Sequence, residues 1–208
     1  MNSDPFETSN DLKFIIKNLY TRTTWFFKFT QENYYGKYAW HLLYIAALVS
    51  QLGRISSTKT TIESWSGLFF QIITLGSGLT VLFYIIGAYI LSAVGKFFKG
   101  EAPAADTLRV ISYSSLPAVF SLLFYVIGAI LYGLPFFTNS FWQIDINPVQ
   151  TIFKWLIRLV NALAGINMVV FLVVGIATVN NFSIPKAILT LLTPIFILVA
   201  IVFALLLF

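Results

Sequence analysis

The chain lacks cysteine altogether, has a single histidine, and carries few charged residues. Without cysteine, disulfide bonds, thiolate metal sites and cysteine nucleophiles are excluded. Charged residues make up 10% of the chain, whereas a soluble domain carries about 25%. The sequence also shows no nucleophile and base pair, no H-E-x-x-H motif and no acidic metal cluster. We therefore expect a protein that is not an enzyme and that uses no cofactor and no metal.

Apolar sequence is what the chain has in abundance, since 58% of its residues are hydrophobic and 17% are aromatic. A helix needs roughly 20 mostly apolar residues to cross the hydrocarbon core of a bilayer. Stretches near or above that length are Tyr38–Ile55, Leu68–Val94, Leu108–Tyr132, Trp155–Val179 and Ala187–Phe208. The sequence thus predicts an all-α integral membrane protein: a five-helix transmembrane bundle over residues 38–208, preceded by a cytoplasmic and interfacial segment over residues 1–37.

The basic residues are distributed unevenly between the two ends of these predicted spans. Of the 13 lysines and arginines, nine lie before the first span, between the second and third, or between the fourth and fifth. Lys and Arg are enriched in cytoplasmic loops. We therefore expect the N-terminus in the cytoplasm, the C-terminus outside and, in a bacterium, a place in the inner membrane.

The segment before the first predicted span contains a helical pattern in TSNDLKFIIKNLY. Its apolar residues Leu12, Ile15, Ile16 and Leu19 have the spacing of one helix face, with two lysines beside them. This predicts an amphipathic helix with two possible placements. It either lies flat on the inner leaflet, where each basic residue gains about 1 kcal/mol near anionic headgroups, or folds against the ends of the spans.

Several polar residues fall within the predicted spans, where such groups usually face the bundle interior or a partner helix. Gln71, Thr74, Asn161 and Asn167 could line one polar track. The glycines of LGSGL at Leu75–Leu79 would loosen the helix that carries the first two. This pattern leaves open a small channel or carrier for ions or solutes.

One polar segment, KFFKGEAPAADTLRVISYSSLP at residues 96–117, interrupts the apolar sequence. A glycine and a proline end the preceding helix, and Asp106 and Arg109 are spaced to pair on the next one. Pro117 removes a backbone hydrogen bond and frees a carbonyl near Tyr113. The segment therefore predicts a cytoplasmic loop and then a helix with a built-in break that faces protein.

These residues carry a resemblance. The turn GKFFKGEA, the threonine and arginine after it, and SYSSLP, combined with five spans and a membrane-associated N-terminal segment, resemble the Yip1 domain family and its short bacterial members. The resemblance implies that Gly100, Tyr113 and Pro117 are shared structural positions. It also implies a non-enzymatic role in membrane organisation or trafficking. The DLYGP-like motif of eukaryotic members, which bind prenylated small GTPases, is absent.

The leading functional hypothesis is a protein that binds membrane lipids, anionic ones included, or other membrane proteins through its cytoplasmic face. The residues expected to make this contact are Lys96, Lys99, Glu101 and Arg109. A homo-oligomer is a further expectation, because Ala200 and Ala204 are spaced as small residues are at packed helix interfaces. No nucleic-acid partner is expected.

Overall fold

The computed structural model describes residues 11–57, 64–138, 141–142 and 147–207, and within these ranges the chain forms helices and no strands. In chain order the helices are α1 (Asp11–Thr21), α2 (Thr23–Glu32), α3 (Ala39–Ser57), α4 (Trp65–Phe69), α5 (Ser77–Phe97), α6 (Ala104–Ser114), α7 (Ala118–Tyr132), α8 (Pro148–Val179) and α9 (Ile184–Leu207). A π-helical stretch, Phe70–Gly76, joins α4 to α5, and a 3₁₀ turn, Leu134–Phe137, follows α7.

Among the described residues, three segments are long and apolar enough to cross a bilayer: Trp65–Phe97, Pro148–Val179 and Ile184–Leu206. Helices α6 and α7 pass the same test only together, as one span bent by 45°. Helix α3 covers the first predicted span but falls outside this group, because His41, Gln51 and Arg54 reduce its hydropathy. The described chain therefore has three candidate spans, or four with the bent pair, and the count of five stays a prediction.

The boundaries of the remaining spans also differ from the sequence prediction. The segment through α4 and α5 is longer at both ends than Leu68–Val94. Helix α8 begins at Pro148 rather than at Trp155, because Asn147 caps it by accepting a hydrogen bond from the backbone N–H of Gln150 at 2.8 Å. Lys154, which directly precedes the predicted span Trp155–Val179, is consequently a buried residue inside this helix.

The predicted N-terminal pattern forms α1, and part of its apolar stripe faces protein. Ile15 and Leu19 are fully buried, whereas Leu12 is 48% exposed. The two buried side chains belong to an aromatic-rich core shared with α2, α6 and the end of α8. On this side, α1 packs against the helices, which is the second of its two predicted placements.

Two separate hydrophobic cores lie towards opposite ends of α8. The first, here called the inner core, includes Phe26 and Phe27 of α2, Val110 of α6, and Phe171 and Ile176 of α8. The second contains Ile157 of α8 and side chains from four other elements. These are Leu52 and Ile55 of α3, Leu68 of α4, Tyr125 of α7 and Phe136 of the 3₁₀ turn. Helix α8 therefore links the two ends of the bundle.

The loosening predicted at LGSGL coincides with the π-helical stretch. A Cβ atom on Gly76 would lie 2.6 Å from Cγ of Gln51 and 2.8 Å from the carbonyl oxygen of Gln71. Gln51 of α3 in turn donates from Nε2 to Oγ1 of Thr80 at 2.6 Å. The glycine thus permits α3 to approach the widened helix closely.

The predicted break at Pro117 is present. Helix α6 ends at Ser114, α7 begins at Ala118, and the residues between them are buried. Pro117 has no N–H and so cannot donate to the carbonyl oxygen of Tyr113. This oxygen instead accepts a hydrogen bond from the N–H of Leu116 at 3.1 Å. A tightened turn therefore satisfies the freed carbonyl within the break itself.

Candidate functional site

The polar segment begins where α5 ends, and its backbone is fixed by a Schellman motif. The N–H of Gly100 donates to the carbonyl of Gly95 at 2.8 Å, and the N–H of Lys99 donates to the carbonyl of Lys96 at 2.9 Å. Lys99 adopts the left-handed conformation that this motif requires, with φ of 65°. Residues Phe98–Pro103, here called the inner loop, thus start from a defined backbone.

The inner loop is held from the other side by Asn180, the C-cap residue of α8, which is only 3% exposed. Its Oδ1 accepts a hydrogen bond from the N–H of Ala102 at 3.2 Å, and its Nδ2 donates to the carbonyl of Ile176 at 3.1 Å. The carbonyl of Ala102 accepts from Oγ of Ser92 at 2.9 Å. Both backbone groups of the fully buried Ala102 are therefore paired, as a buried peptide requires.

The close approach of Asn180 depends on two glycines. A Cβ atom on Gly95 would lie 3.1 Å from Oδ1 of Asn180. On Gly100 it would meet the same oxygen and lie 2.6 Å from Cζ of Phe182. Gly100 therefore occupies a position where the space between the loop and the end of α8 excludes a side chain.

Arg109 lies in a different environment from the exposed loop residues. Its guanidinium pairs with the buried carboxylate of Asp106 and lies 5.6 Å from the ring centroid of Tyr34. The Arg109 side chain is 20% exposed. The predicted pair between residues 106 and 109 is present, and it holds the arginine against protein rather than presenting a free cation.

The other three residues expected to contact partners lie close together in the chain, Lys96 in the last turn of α5 and Lys99 and Glu101 in the inner loop. Lys96, Lys99 and Glu101 each have exposed side chains. Two of these are cations placed three residues apart around the turn, and the third is an anion beside them. The structure therefore brings together three of the four predicted contact residues as a mixed-charge surface.

Tyr113 connects α6 to the segment between α2 and α3. Its hydroxyl donates to the carbonyl of Lys37 at 2.8 Å. Its ring stacks on Tyr35 with centroids 6.3 Å apart and meets Phe26 edge to face at 5.1 Å. A fully buried tyrosine with a paired hydroxyl is a structural anchor.

The residues of the proposed polar track have separate surroundings. Nδ2 of Asn161 lies 3.4 Å from the hydroxyl of Tyr125, while Nδ2 of Asn167 donates to the carbonyl of Leu163 in its own helix at 2.8 Å. A separation of six residues places the two asparagines on faces of α8 about 120° apart. Gln71 is half-buried, and the side chain of Thr74 lies outside the described residues.

Sequence reasoning missed Asn180, although one local signal was present. An asparagine pair directly after a long apolar run is typical of a helix C-terminus, and Asn181 indeed adopts the left-handed conformation, with φ of 55°. The contact with Ala102 spans 78 positions in the chain. Only the tertiary fold brings these two residues together.

The exposed charges offer groups for polar contacts with another molecule. Within the described ranges, no three histidine, aspartate or glutamate side chains come together as a metal site would need. The exposed groups of the inner loop can form ion pairs and hydrogen bonds with headgroups or with charged protein surfaces.

A sequence model of the Yip1 domain matches residues 24–206, which is most of the chain. The match starts in α2 and includes the inner loop, the break at Pro117, and both C-terminal helices. No curated protein and no solved structure matches the chain.

Proposed function

The chain belongs to the Yip1 domain family, and we propose that it is a non-enzymatic, multi-pass membrane protein that binds lipids or other membrane proteins through its cytoplasmic face. One observation carries the proposal. Lys96, Lys99 and Glu101 are exposed on a backbone that a Schellman motif and Asn180 hold in place. A charged surface with a fixed backbone loses little conformational entropy when it binds.

The proposal includes five spans, with α3 as the first. Its 19 residues extend about 28 Å, close to the roughly 30 Å of the hydrocarbon core. His41 lies near its start and Arg54 in its last turn, so both polar side chains can reach an interface. With five spans and a cytoplasmic N-terminus, the inner loop faces the cytoplasm, in agreement with its basic character.

Lys96, in the last turn of α5, and Lys99, in the inner loop, supply the electrostatic part of the binding. Each basic residue near an anionic leaflet contributes about 1 kcal/mol. Removing both charges should therefore weaken association with anionic lipid by roughly 30-fold. Glu101 adds a group that pairs with basic residues of a protein partner.

The test is affinity purification from native membranes in mild detergent, with mass spectrometry of the retained proteins and lipids. We expect the Lys96→Gln/Lys99→Gln variant to lose a companion that the unmodified chain retains. The matched control changes two exposed lysines of α1, Lys13→Gln/Lys17→Gln, and should retain it.

Equal losses from both pairs would show that any basic residues on this face suffice, which contradicts a site at the inner loop. If neither pair changes the retained molecules, and ion or solute flux through liposomes disappears on Asn167→Leu, the chain is a transporter and the binding proposal fails.

A further inference from the structure

A cavity of about 570 Å³ lies between α2 and the turn that joins α8 to α9. Four polar side chains of α2 line one wall, Thr24, Lys28, Gln31 and Glu32. Their spacing places them on one face of the helix. The aromatic residues Phe26 and Phe27 leave α2 on another side and enter the inner core. The polar face of α2 therefore lines the cavity, while its aromatic residues pack into the inner core.

The position of the cavity along the bundle follows from the two helices that meet there. Helices α8 and α9 are both candidate spans, and only the four residues 180–183 separate them. So short a turn between two spans must lie at a membrane surface. The cavity thus opens at the depth of lipid headgroups, about 15 Å from the bilayer centre.

The cavity carries charges of both signs. Nζ of Lys28 lies 3.7 Å from Oε1 of Glu32, and these side chains are 66% and 60% exposed. An exposed pair of this kind contributes only about 0–1 kcal/mol, so either member can exchange its partner for a ligand. A second cation, Lys186, lies against one of the lining residues, with its Nζ 4.2 Å from the ring centroid of Phe182.

Neutral and apolar groups complete the lining. Nε2 of Gln31 donates to the carbonyl of Val179 at 3.1 Å, which leaves its Oε1 as an acceptor. The hydroxyl of Thr24 adds a donor at the other end of the polar face. Val174 and Ile184 supply apolar surface at the ends of the two candidate spans. A ligand that fits is therefore polar at one end and apolar at the other.

We propose that this cavity binds the headgroup of a phospholipid that carries a phosphate and a primary ammonium, of the phosphatidylethanolamine class. Lys28 and Lys186 receive the phosphate, while Glu32 and Oε1 of Gln31 accept hydrogen bonds from the ammonium. A purely anionic headgroup would bring a negative charge next to Glu32. A choline headgroup has no N–H to donate. The inference goes beyond the proposed function, because it adds a lipid site that is separate from the inner loop.

The test uses the full chain purified in detergent, titrated in native mass spectrometry with phosphatidylethanolamine, phosphatidylcholine and phosphatidylglycerol of equal acyl length. We expect phosphatidylethanolamine to bind at least about 10-fold tighter than phosphatidylcholine, because hydrogen bonds to a carboxylate distinguish them. Lys28→Gln should weaken binding of all three lipids. Glu32→Gln should reduce the preference for phosphatidylethanolamine over phosphatidylcholine, because the acceptor loses its charge, and it should not weaken the binding of phosphatidylglycerol.

The control is Lys17→Gln on α1, which removes one exposed lysine outside the cavity and should leave every affinity unchanged. Equal affinities for the three lipids in the unmodified chain, or a preference that Glu32→Gln leaves undiminished, would overturn the proposal. Soluble glycerophosphoethanolamine is the competing source of the same chemistry. Displacement of the lipid by an equal concentration of this compound would also overturn a lipid site.

The same titration on Lys96→Gln/Lys99→Gln separates this inference from the proposed function. A preserved preference for phosphatidylethanolamine supports the cavity whatever the inner loop binds. If the preference is lost in Lys96→Gln/Lys99→Gln but kept in Lys28→Gln and Glu32→Gln, the lipid binds at the inner loop and the proposal of a cavity site is refuted.

Discussion

Replacing Gly100 by alanine should destabilise the whole inner end of the bundle. A Cβ atom there would meet the amide oxygen of Asn180, lie 2.9 Å from its Cγ, and lie 2.6 Å from Cζ of Phe182. The φ angle of Gly100 is outside the left-handed region, so alanine can adopt this backbone. The expected cost is therefore steric.

The magnitude has two parts. Forcing an extra carbon into a packed site costs about 1–3 kcal/mol. If Asn180 moves aside, the buried N–H of Ala102 loses its acceptor, which costs about 1–3 kcal/mol more. The free energy of unfolding should thus fall by about 2–6 kcal/mol if both effects act. In a chain of this size each kcal/mol lowers the melting temperature by roughly 2–4 °C.

The assay is thermal unfolding of the detergent-purified chain, followed by loss of the monodisperse peak in size-exclusion chromatography. Gly87→Ala is the control, because this residue lies in α5, the helix that leads into the inner loop, and a Cβ atom there has no neighbour within 4 Å. The control should be neutral, or more stable by up to about 1 kcal/mol, since alanine favours helix. If Gly100→Ala melts within about 2 °C of Gly87→Ala, the packing argument is refuted. In an Asn180→Ala background the substitution should cost less, because one of the two obstructing side chains is then removed.

Three further substitutions test the contacts around the inner core by the same melting assay. Gly175→Ala should lower the free energy of unfolding by about 1–3 kcal/mol, because its Cβ would meet side chains of α2 and α6. Gly165→Ala in the same helix should be neutral, because a Cβ atom there has no neighbour within 4 Å. Tyr113→Phe should lose about 1 kcal/mol, since the ring contacts remain and only the hydrogen bond to a backbone carbonyl disappears; a loss as large as that of Tyr113→Ala, about 3–5 kcal/mol, would contradict this. Asp106→Asn should lose about 1.5–3 kcal/mol and make the melting temperature less dependent on salt than in the unmodified chain, because the charge pair with Arg109 is partly screened.

Elements governed by local chemistry could be predicted from the sequence. Pro117 removes a backbone hydrogen bond, so a break in the helix was expected near it. Proline alone does not determine such a break, since Pro194 lies inside α9 without ending it. The 45° bend between α6 and α7 comes from the structure. The spacing of Asp106 and Arg109 likewise determined their pairing. Long apolar runs indicated the helical membrane architecture, because only helices and closed barrels satisfy the backbone in lipid.

Features that depend on distant contacts could not be predicted. Counting Arg109 among the surface cations ignored Tyr34, which lies 75 positions earlier and reaches the guanidinium only through the packing of α2 against α6. The buried state of Ile15 and Leu19 was one of two placements that the amphipathic pattern allowed. Hydrophobic spacing identifies the face of a helix that is buried, but not whether protein or lipid covers it.

Three helices end at this side of the bundle with the same backbone motif, and none of them uses glycine at the left-handed position. Tyr34, Lys99 and Asn181 have φ values of 50°, 65° and 55°. An ordinary residue adopts this conformation at a free-energy cost about 1 kcal/mol higher than that of glycine. Each side chain makes a contact or presents a group that glycine could not: Tyr34 lies over Arg109, Asn181 lines the cavity beside α2, and Lys99 is exposed on the inner loop. The first two side chains contact or line features of the described structure. Under the proposed function, the charge of Lys99 is the group that meets a lipid or protein partner, which would account for a lysine at this position.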